Sequence, residues 1–264
     1  MDLKLQGKVV LISGGSKGIG LATARAFADE GASVAICGRT PADLQAAQQE
    51  LSRRGVKIAA VQADISTPAG AAKFIDDSAS QLGGIDVLVN NAGGGFGGRS
   101  VLTTTDEEWQ KTYDLNLFQA VRLTRLAVPH MQRKGSGAII NVASISGWSP
   151  QLAGTPQYGS AKAALIFLTE RIALELNQYN IRVNVVSPGS IQRTQGWDRF
   201  KRENPAAFDR YVRDGFPMGR LGNPEEVADV IVYLASHRAH WINGRHVPVD
   251  GLEQPVPVHE RRPW

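Results

Sequence analysis

The chain has only one cysteine, Cys37, so no disulfide can form within it, and a reducing compartment is expected. Cys37 closes the apolar run Val34-Ala35-Ile36-Cys37, which marks a buried structural thiol rather than a nucleophile. No apolar run approaches the length of a membrane span, and no signal-peptide pattern follows Met1-Asp2-Leu3-Lys4. The cytoplasm is therefore the expected location, with no membrane partner. A concentrated basic stripe is also missing. The net charge is +4, and Lys and Arg are scattered apart from short pairs such as Arg53-Arg54 and Arg261-Arg262, which argues against a nucleic-acid partner. The five histidines show no metal-ligand spacing, and no metal is expected. No Pro/Ser-rich linker divides the 264 residues, so a single domain over 1–264 is expected.

What is present is a globular composition, 42% hydrophobic and 20% charged, with 28 glycines clustered in short runs. Short Val/Ile-rich segments at 8–13, 33–37, 57–62, 86–90, 137–142, 181–186 and 246–249 read as strands. They show little polar alternation, as strands covered on both faces do. Helical patterns lie between them at 17–30, 41–54, 68–82, 118–133, 157–178 and 224–235, two of them opening on Thr40-Pro41 and Asn223-Pro224. Alternation of this kind predicts an α/β fold: a Rossmann-like, doubly wound parallel sheet in three layers, α/β/α. Two segments fit no regular element. One is Gly93 to Ser100. The other runs from Gly189 to about Gly222, holds Trp197, Phe200, Phe208 and Phe216, and reads over about 190–216 as a substrate lid. Its rival is a pair of fixed helices with core aromatics, suggested by Asn204-Pro205 and the helical run that follows. The tail with Pro255 to Pro263 is expected to be extended.

After the first strand comes Ser13-Gly14-Gly15-Ser16-Lys17-Gly18-Ile19-Gly20, and then a helix. Glycines allow a tight turn and close backbone approach, and the helix start offers unpaired N–H groups to a pyrophosphate. The spacing departs from the common G-x-G-x-x-G fingerprint, so the strand-before, helix-after context carries the assignment. Tyr158 and Lys162 are four apart in a helical segment and share a face. A nearby ammonium is expected to lower a phenol's pKa and make it a general acid or base toward a carbonyl or alcohol oxygen. Ser144 lies just after a strand, where its hydroxyl can hold the substrate oxygen. A surface Tyr and Lys at this spacing also arise by chance, so the pair alone does not decide.

With these motifs in order, the chain resembles the short-chain dehydrogenase/reductase family over essentially its whole length, and within it the 3-oxoacyl-acyl-carrier-protein reductase branch. Ser13-Gly14-x-x-x-Gly18-Ile19-Gly20 resembles the cofactor loop, and Asp64-Ile65 the adenine contact. Asn90-Asn91-Ala92-Gly93 resembles the strand-four motif, and Asn116 the residue that holds a proton-relay water. Ser144, Tyr158 and Lys162 resemble the catalytic set. Pro188-Gly189, Arg220-Leu221-Gly222 with Pro224 to Ala228, and Asn243-Gly244 with Val249-Asp250-Gly251 complete the pattern. The resemblance implies hydride transfer with Tyr158 exchanging the proton, Ser144 orienting the substrate oxygen and Lys162 also binding nicotinamide ribose. It implies a cofactor strip of Gly14, Ser16, Lys17, Gly18, Ile19, Gly20, Asp64, Ile65, Asn91, Ala92, Gly93, Tyr158, Lys162, Pro188, Gly189, Ile191 and Thr194. It also implies a homo-oligomer, a tetramer paired through helices 118–133 and 157–178, with further contacts near the last strand and tail.

Three departures stand out. Ser144 to Tyr158 is one residue longer than in many relatives, which makes Ser146 a minor rival. Arg193 stands where Thr often contacts the carboxamide, so Thr194 is taken with a one-residue shift. The usual Asp-Gly-Gly ending is here Asp250-Gly251-Leu252.

The acid that binds a ribose 2′-hydroxyl in NAD-preferring folds is replaced by Gly38-Arg39. Arg39 can pair with a 2′-phosphate, and Lys17 can add a second charge, so NADP is the expected cofactor. The substrate is expected to be a small carbonyl or alcohol, and the aromatic lid around Trp197 suggests an apolar one, although lid aromatics more often just pack. The stretch Asn177-Gln178-Tyr179-Asn180 lacks the base that greets an acidic acyl carrier in many relatives, and Arg133-Lys134 can substitute only in part. The alternatives are a catalytically idle family member that binds nucleotide, against which Asn116, Ser144, Tyr158 and Lys162 argue, and a structural assembly subunit, against which the loop glycines argue.

Overall fold

The structure, a computed structural model, describes residues 2–149, 155–193 and 195–253, side chains 195 and 196 apart. Seven strands form one sheet: β1 Val9–Ile12, β2 Ser33–Gly38, β3 Ile58–Gln62, β4 Val87–Asn90, β5 Gly137–Val142, β6 Ile181–Pro188 and β7 His246–Val249. Their order is β3-β2-β1-β4-β5-β6-β7, and each adjacent pair is parallel. The helices between them are α1 Gly18–Asp29, α2 Pro41–Ser52, α3 Pro68–Leu82, α4 Asp106–Tyr113, α5 Gln119–Lys134, α6 Pro156–Leu176, α7 Gln195–Glu203, α8 Pro205–Gly215 and α9 Pro224–Ala235.

The uninterrupted apolar strands follow from the two-sided burial. On β1, Val10 and Ile12 join Phe27 of α1 and Ile231 of α9 on one face. Val9 and Leu11 join Phe74 of α3 and Leu123 of α5 on the other. Neither face meets water, so alternation has no purpose. Cys37 belongs to the second cluster, and burial pushes its thiol up to about 12, as a structural cysteine requires. The expected starts hold: α2 begins at Pro41 and α9 at Pro224. Asn223 and Glu226 close a capping box on α9, with the Asn223 N–H donating to Glu226 Oε2 at 2.7 Å.

One helix was not expected. Helix α4 is polar, and Thr112 is its one buried residue, so it shows no apolar period. The capping box of Thr105 and Glu108 was its legible signal. The segment 190–216 contains α7 and α8, in line with the helical rival to an irregular lid. The extended tail expected around Pro255 to Pro263 lies outside the described residues, as does Thr194. Among the described residues, no helix is long and apolar enough to cross a membrane.

Strand order reverses between β1 and β4. The crossovers leave that point on opposite faces, and a crevice opens at the carboxyl ends of the strands, which is where ligands bind in open α/β sheets.

Candidate active site

At the end of β1 the chain turns through Ser13 to Lys17 into α1. Ser13 Oγ accepts the N–H groups of Asn91 and Ala92 at 3.0 Å each. Asn91 Nδ2 donates to the Ser13 and Gly14 carbonyls at 2.9 and 3.2 Å. The Asn-Asn-Ala-Gly motif after β4 thus holds the glycine loop in shape. Behind the loop there is no room. A Cβ at Gly20 would lie 2.2 Å from the Gly14 oxygen, and one at Gly15 would lie 2.5 Å from Ile36 Cγ2. In front there is space: a Cβ at Gly18 would meet nothing within 4 Å, and Gly18 holds a left-handed φ of 53°. Lys17, at the N-cap of α1, supplies no side-chain cap. A packed back, an open front and a helix end without a side-chain cap fit a pyrophosphate.

The other expected cofactor residues lie along the same edge. Ser16 Oγ is 3.1 Å from where a Cβ on Gly38 would stand. Arg39 is exposed at the end of β2, its carbonyl accepting from Gln62 Nε2 at 3.2 Å. Lys17 Nζ pairs with Asp43 at 2.8 Å, so its charge is shared rather than free. After β3, Asp64 Oδ1 accepts from the Ser66 N–H and hydroxyl at 3.1 and 2.7 Å, and Ile65 is buried.

Beside this edge lies a cavity of about 420 Å³, lined by Ile19, Asn91, Gly93, Ser144, Ser146, Tyr158 and Lys162. Pro188, Gly189, Ser190 and Ile191 form a further wall. Ser144 follows β5, and Tyr158 and Lys162 share one face of α6, so three distant residues meet. Both hydroxyls line the cavity, and the Ser144 hydroxyl acts on the Tyr158 phenol, pulling its pKa down. This favours Ser144 over Ser146 as the partner of Tyr158. Lys162 is 2% exposed, and its Nζ donates to the Val142 carbonyl at 2.7 Å, 5.6 Å from the Tyr158 ring centroid.

The electrostatics correct one expectation. Burial pulls Lys162 down from 10.5 to about 7, and burial pushes the Tyr158 phenol up, with the Ser144 hydrogen bond pulling the other way. Loss of water sets the direction of the phenol's shift, against the expected lowering. Spacing in the sequence shows which face two residues share, but not how much water that face loses.

Asn116 sits in a single π-turn, Asp114–Phe118, between α4 and α5. Its Nδ2 donates to the Gly94 and Thr112 carbonyls at 2.7 Å each, and its Oδ1 accepts the Gly94 N–H at 3.1 Å. A Cβ on Gly93 would stand 2.8 Å from Asn116 Oδ1 and 3.0 Å from Lys162 Nζ. Asn116 therefore fixes the backbone next to Lys162, and the π-turn is the kind of helix irregularity found at functional sites.

Trp197, expected over the site as part of the lid, reaches the cavity wall from α7. Tyr211 of α8 and Glu253 line it as well and were not expected there. Glu253 Oε2 accepts the Ser190 N–H at 2.7 Å and its Oε1 accepts the Ser190 hydroxyl at 2.9 Å. The departure at Leu252 was its signal in the sequence. Among the described residues, no group of three His, Cys, Asp or Glu is arranged to hold a metal.

Comparison with known proteins agrees with this layout. The family model described as enoyl-(acyl carrier protein) reductase matches residues 14–251. Dehydrogenase/reductase SDR family member 4 of Caenorhabditis elegans is 34% identical, over 94% of this chain and 95% of its own length. The structure is similar to L-sorbose reductase from Gluconobacter frateurii, solved with NADPH and L-sorbose. Its TM-score is 0.90 at 37% identity, covering 97% of this chain and 100% of that one. It is also similar to 7α-hydroxysteroid dehydrogenase, solved with NADH and 7-oxo glycochenodeoxycholic acid, with a TM-score of 0.88 at 30% identity and 97% of each chain covered. Sequence, sheet topology and relatives agree: the chain belongs to the short-chain dehydrogenase/reductase family and is an oxidoreductase.

Proposed function

We propose that the chain is an NADP-dependent oxidoreductase acting between a carbonyl compound and the corresponding secondary alcohol, with Tyr158 as the acid/base. The observation that carries this is the convergence of Ser144, Tyr158 and Lys162 on one cavity beside an open glycine loop. The loop from Gly14 to Gly20 would hold the pyrophosphate, Asp64 and Ile65 the adenine end, and Gly93, Lys162, Pro188, Gly189 and Ile191 the nicotinamide riboside. The nicotinamide, when bound, supplies or accepts the hydride. Ser144 donates a hydrogen bond to the substrate oxygen and holds it against Tyr158. In reduction the phenol gives that oxygen its proton, and in oxidation the phenolate takes it back. A Lys162 ammonium stabilises the phenolate as it forms, and an ammonium titrating at about 7 is poised to be charged when that happens.

Gly38 and Arg39 support NADP. The place of an acid is empty, Ser16 borders it, and Arg39 is exposed beside it. L-sorbose reductase was solved with NADPH and 7α-hydroxysteroid dehydrogenase with NADH, so the choice rests on these residues of the chain itself. We assign the protein to the cytoplasm on its one buried thiol and lack of any disulfide pair. Two substitutions test the reading. Tyr158→Phe lowers turnover by about 10²- to 10⁴-fold, the range of general acid/base catalysis, and leaves NADPH affinity nearly as it was. Retention of most of the rate overturns the role of Tyr158. Arg39→Asp narrows or reverses the NADP preference, and equal affinities of the unmodified protein for both cofactors overturn the cofactor assignment.

A further inference from the structure

Glu253 is 7% exposed, yet it lines the cavity that holds the reacting groups. Its two oxygens are both held by one residue, Ser190. Among the described residues no cation pairs with it. The charged neighbour is Asp250, and burial together with Asp250 raises its pKa. A carboxylate offers about four acceptor positions, and Ser190 uses two. The remaining ones belong to a group that loses water whenever the cavity fills.

The backbone pays for this placement. Leu252 holds a left-handed φ of 60°, which a bulky side chain rarely adopts. The turn is fixed by the Leu252 N–H donating to Asp250 Oδ1 at 3.0 Å and the Glu253 N–H donating to the Asp250 carbonyl at 3.1 Å. Gly189 clears the approach, since a Cβ there would stand 2.8 Å from Asp250 Cα and 2.9 Å from Glu253 Oε2. Strain that persists at a ligand cavity is held there by its surroundings.

A wholly apolar ligand in this cavity would strip water from the carboxylate and leave it with no donor beyond Ser190, which is costly. A ligand carrying hydroxyl groups satisfies it. The other walls suit the same ligand: Ser146 adds a hydroxyl, and the rings of Trp197 and Tyr211 offer apolar faces to C–H groups. The geometry points to Glu253 as a specificity-determining residue that accepts a hydrogen bond from a substrate hydroxyl, so that the substrate is a polyhydroxylated ketone or the matching polyol. This rests on the hydride-transfer reading above.

The test compares ketohexoses with cyclohexanone. NADPH oxidation is followed for the wild type, Glu253→Gln and Glu253→Asp, and binding of hexitols to the NADP-loaded proteins is measured by calorimetry. The wild type is expected to favour at least one ketohexose over cyclohexanone in kcat/KM. In Glu253→Gln that ratio falls at least tenfold, chiefly through KM, and hexitol binding weakens in parallel. Glu253→Asp, which keeps the charge but shortens the reach, falls in between. Turnover of cyclohexanone with none of the ketohexoses overturns this inference and leaves the hydride-transfer reading standing. So does an equal loss on both substrate classes, or none on either. Turnover of neither class by the wild type, with hexitol binding untouched by the variants, overturns both. The wild-type preference is read without any variant, so a Glu253→Gln protein that fails to fold does not shelter the idea.

Discussion

An ammonium stripped of water is costly, and Lys162 is 2% exposed with one protein acceptor, the Val142 carbonyl. Its proton is held less tightly in the folded protein, at about 7, than in the unfolded chain, at 10.5. Between those values the unfolded chain binds more protons, so this group makes folding more favourable as pH rises from about 7 toward 10.5. Lys162→Met removes the proton and keeps most of the volume. The difference in unfolding free energy between wild type and variant should therefore move in favour of the wild type from pH 7 to pH 9.5. Urea denaturation of the cofactor-free proteins at both pH values checks this, and a flat difference means the buried amine is not titrating in that window. The comparison across pH matters more than either value alone, because the variant also leaves the Val142 carbonyl without its donor. On the proposed mechanism, turnover of the variant should collapse, since no ammonium then stabilises the phenolate of Tyr158.

Helices α7 and α8 pose a different question. Trp197 makes ring contacts with Phe200, Phe208 and Tyr211, all within the segment, while Trp197 and Tyr211 also line the cavity. A pair of helices packed on each other and leaning on a ligand cavity can close as a unit. Amide exchange across 195–215 should be faster than in α6 in the free protein and should slow on addition of NADPH and substrate. Protection that is already high and unchanged by ligand makes the pair a fixed wall. These helices also show where the sequence stops being legible. The β/α alternation placed every strand to within one or two residues, because two-sided burial leaves continuous Val and Ile. The proposed catalytic residues Ser144, Tyr158 and Lys162 were legible because each sits at a strand end or on a helix face that local spacing reveals. Helix α4 was legible only in its capping box, because one buried residue makes no apolar period. Glu253 was legible only through the departure at Leu252 beside it, because its partner Ser190 is 63 residues away and only folding joins them. The raised phenol of Tyr158 was not, because desolvation depends on what closes over a face and not on that face's own residues.

The outer side of the folded chain presents apolar surface that its own core does not use. On α6 the inward stripe is Ala161, Leu165, Thr169 and Ala173, while Phe167 and Leu174 are 77% and 72% exposed. Those two are seven apart, two turns of helix, and so lie on one line facing away from the sheet. Phe118, just before α5, is also exposed. A line of this kind on a long, regular helix suits pairing with the same helix of a second copy about a twofold axis, where each residue meets its own counterpart's neighbourhood. Full burial of a Phe or Leu side chain is worth about 1.5 to 3 kcal/mol, so four such residues across a twofold interface contribute substantially to association. A second contact, around Trp241 at 93% exposed, would join two such pairs into a tetramer. Light scattering at micromolar concentration should therefore give four times the mass of the chain. Replacing Phe167 and Leu174 together by Glu should lower that mass to two chains or one, while the far-ultraviolet circular dichroism stays that of the folded protein, because neither side chain belongs to the core. A wild-type protein with the mass of one chain under these conditions overturns the assembly altogether.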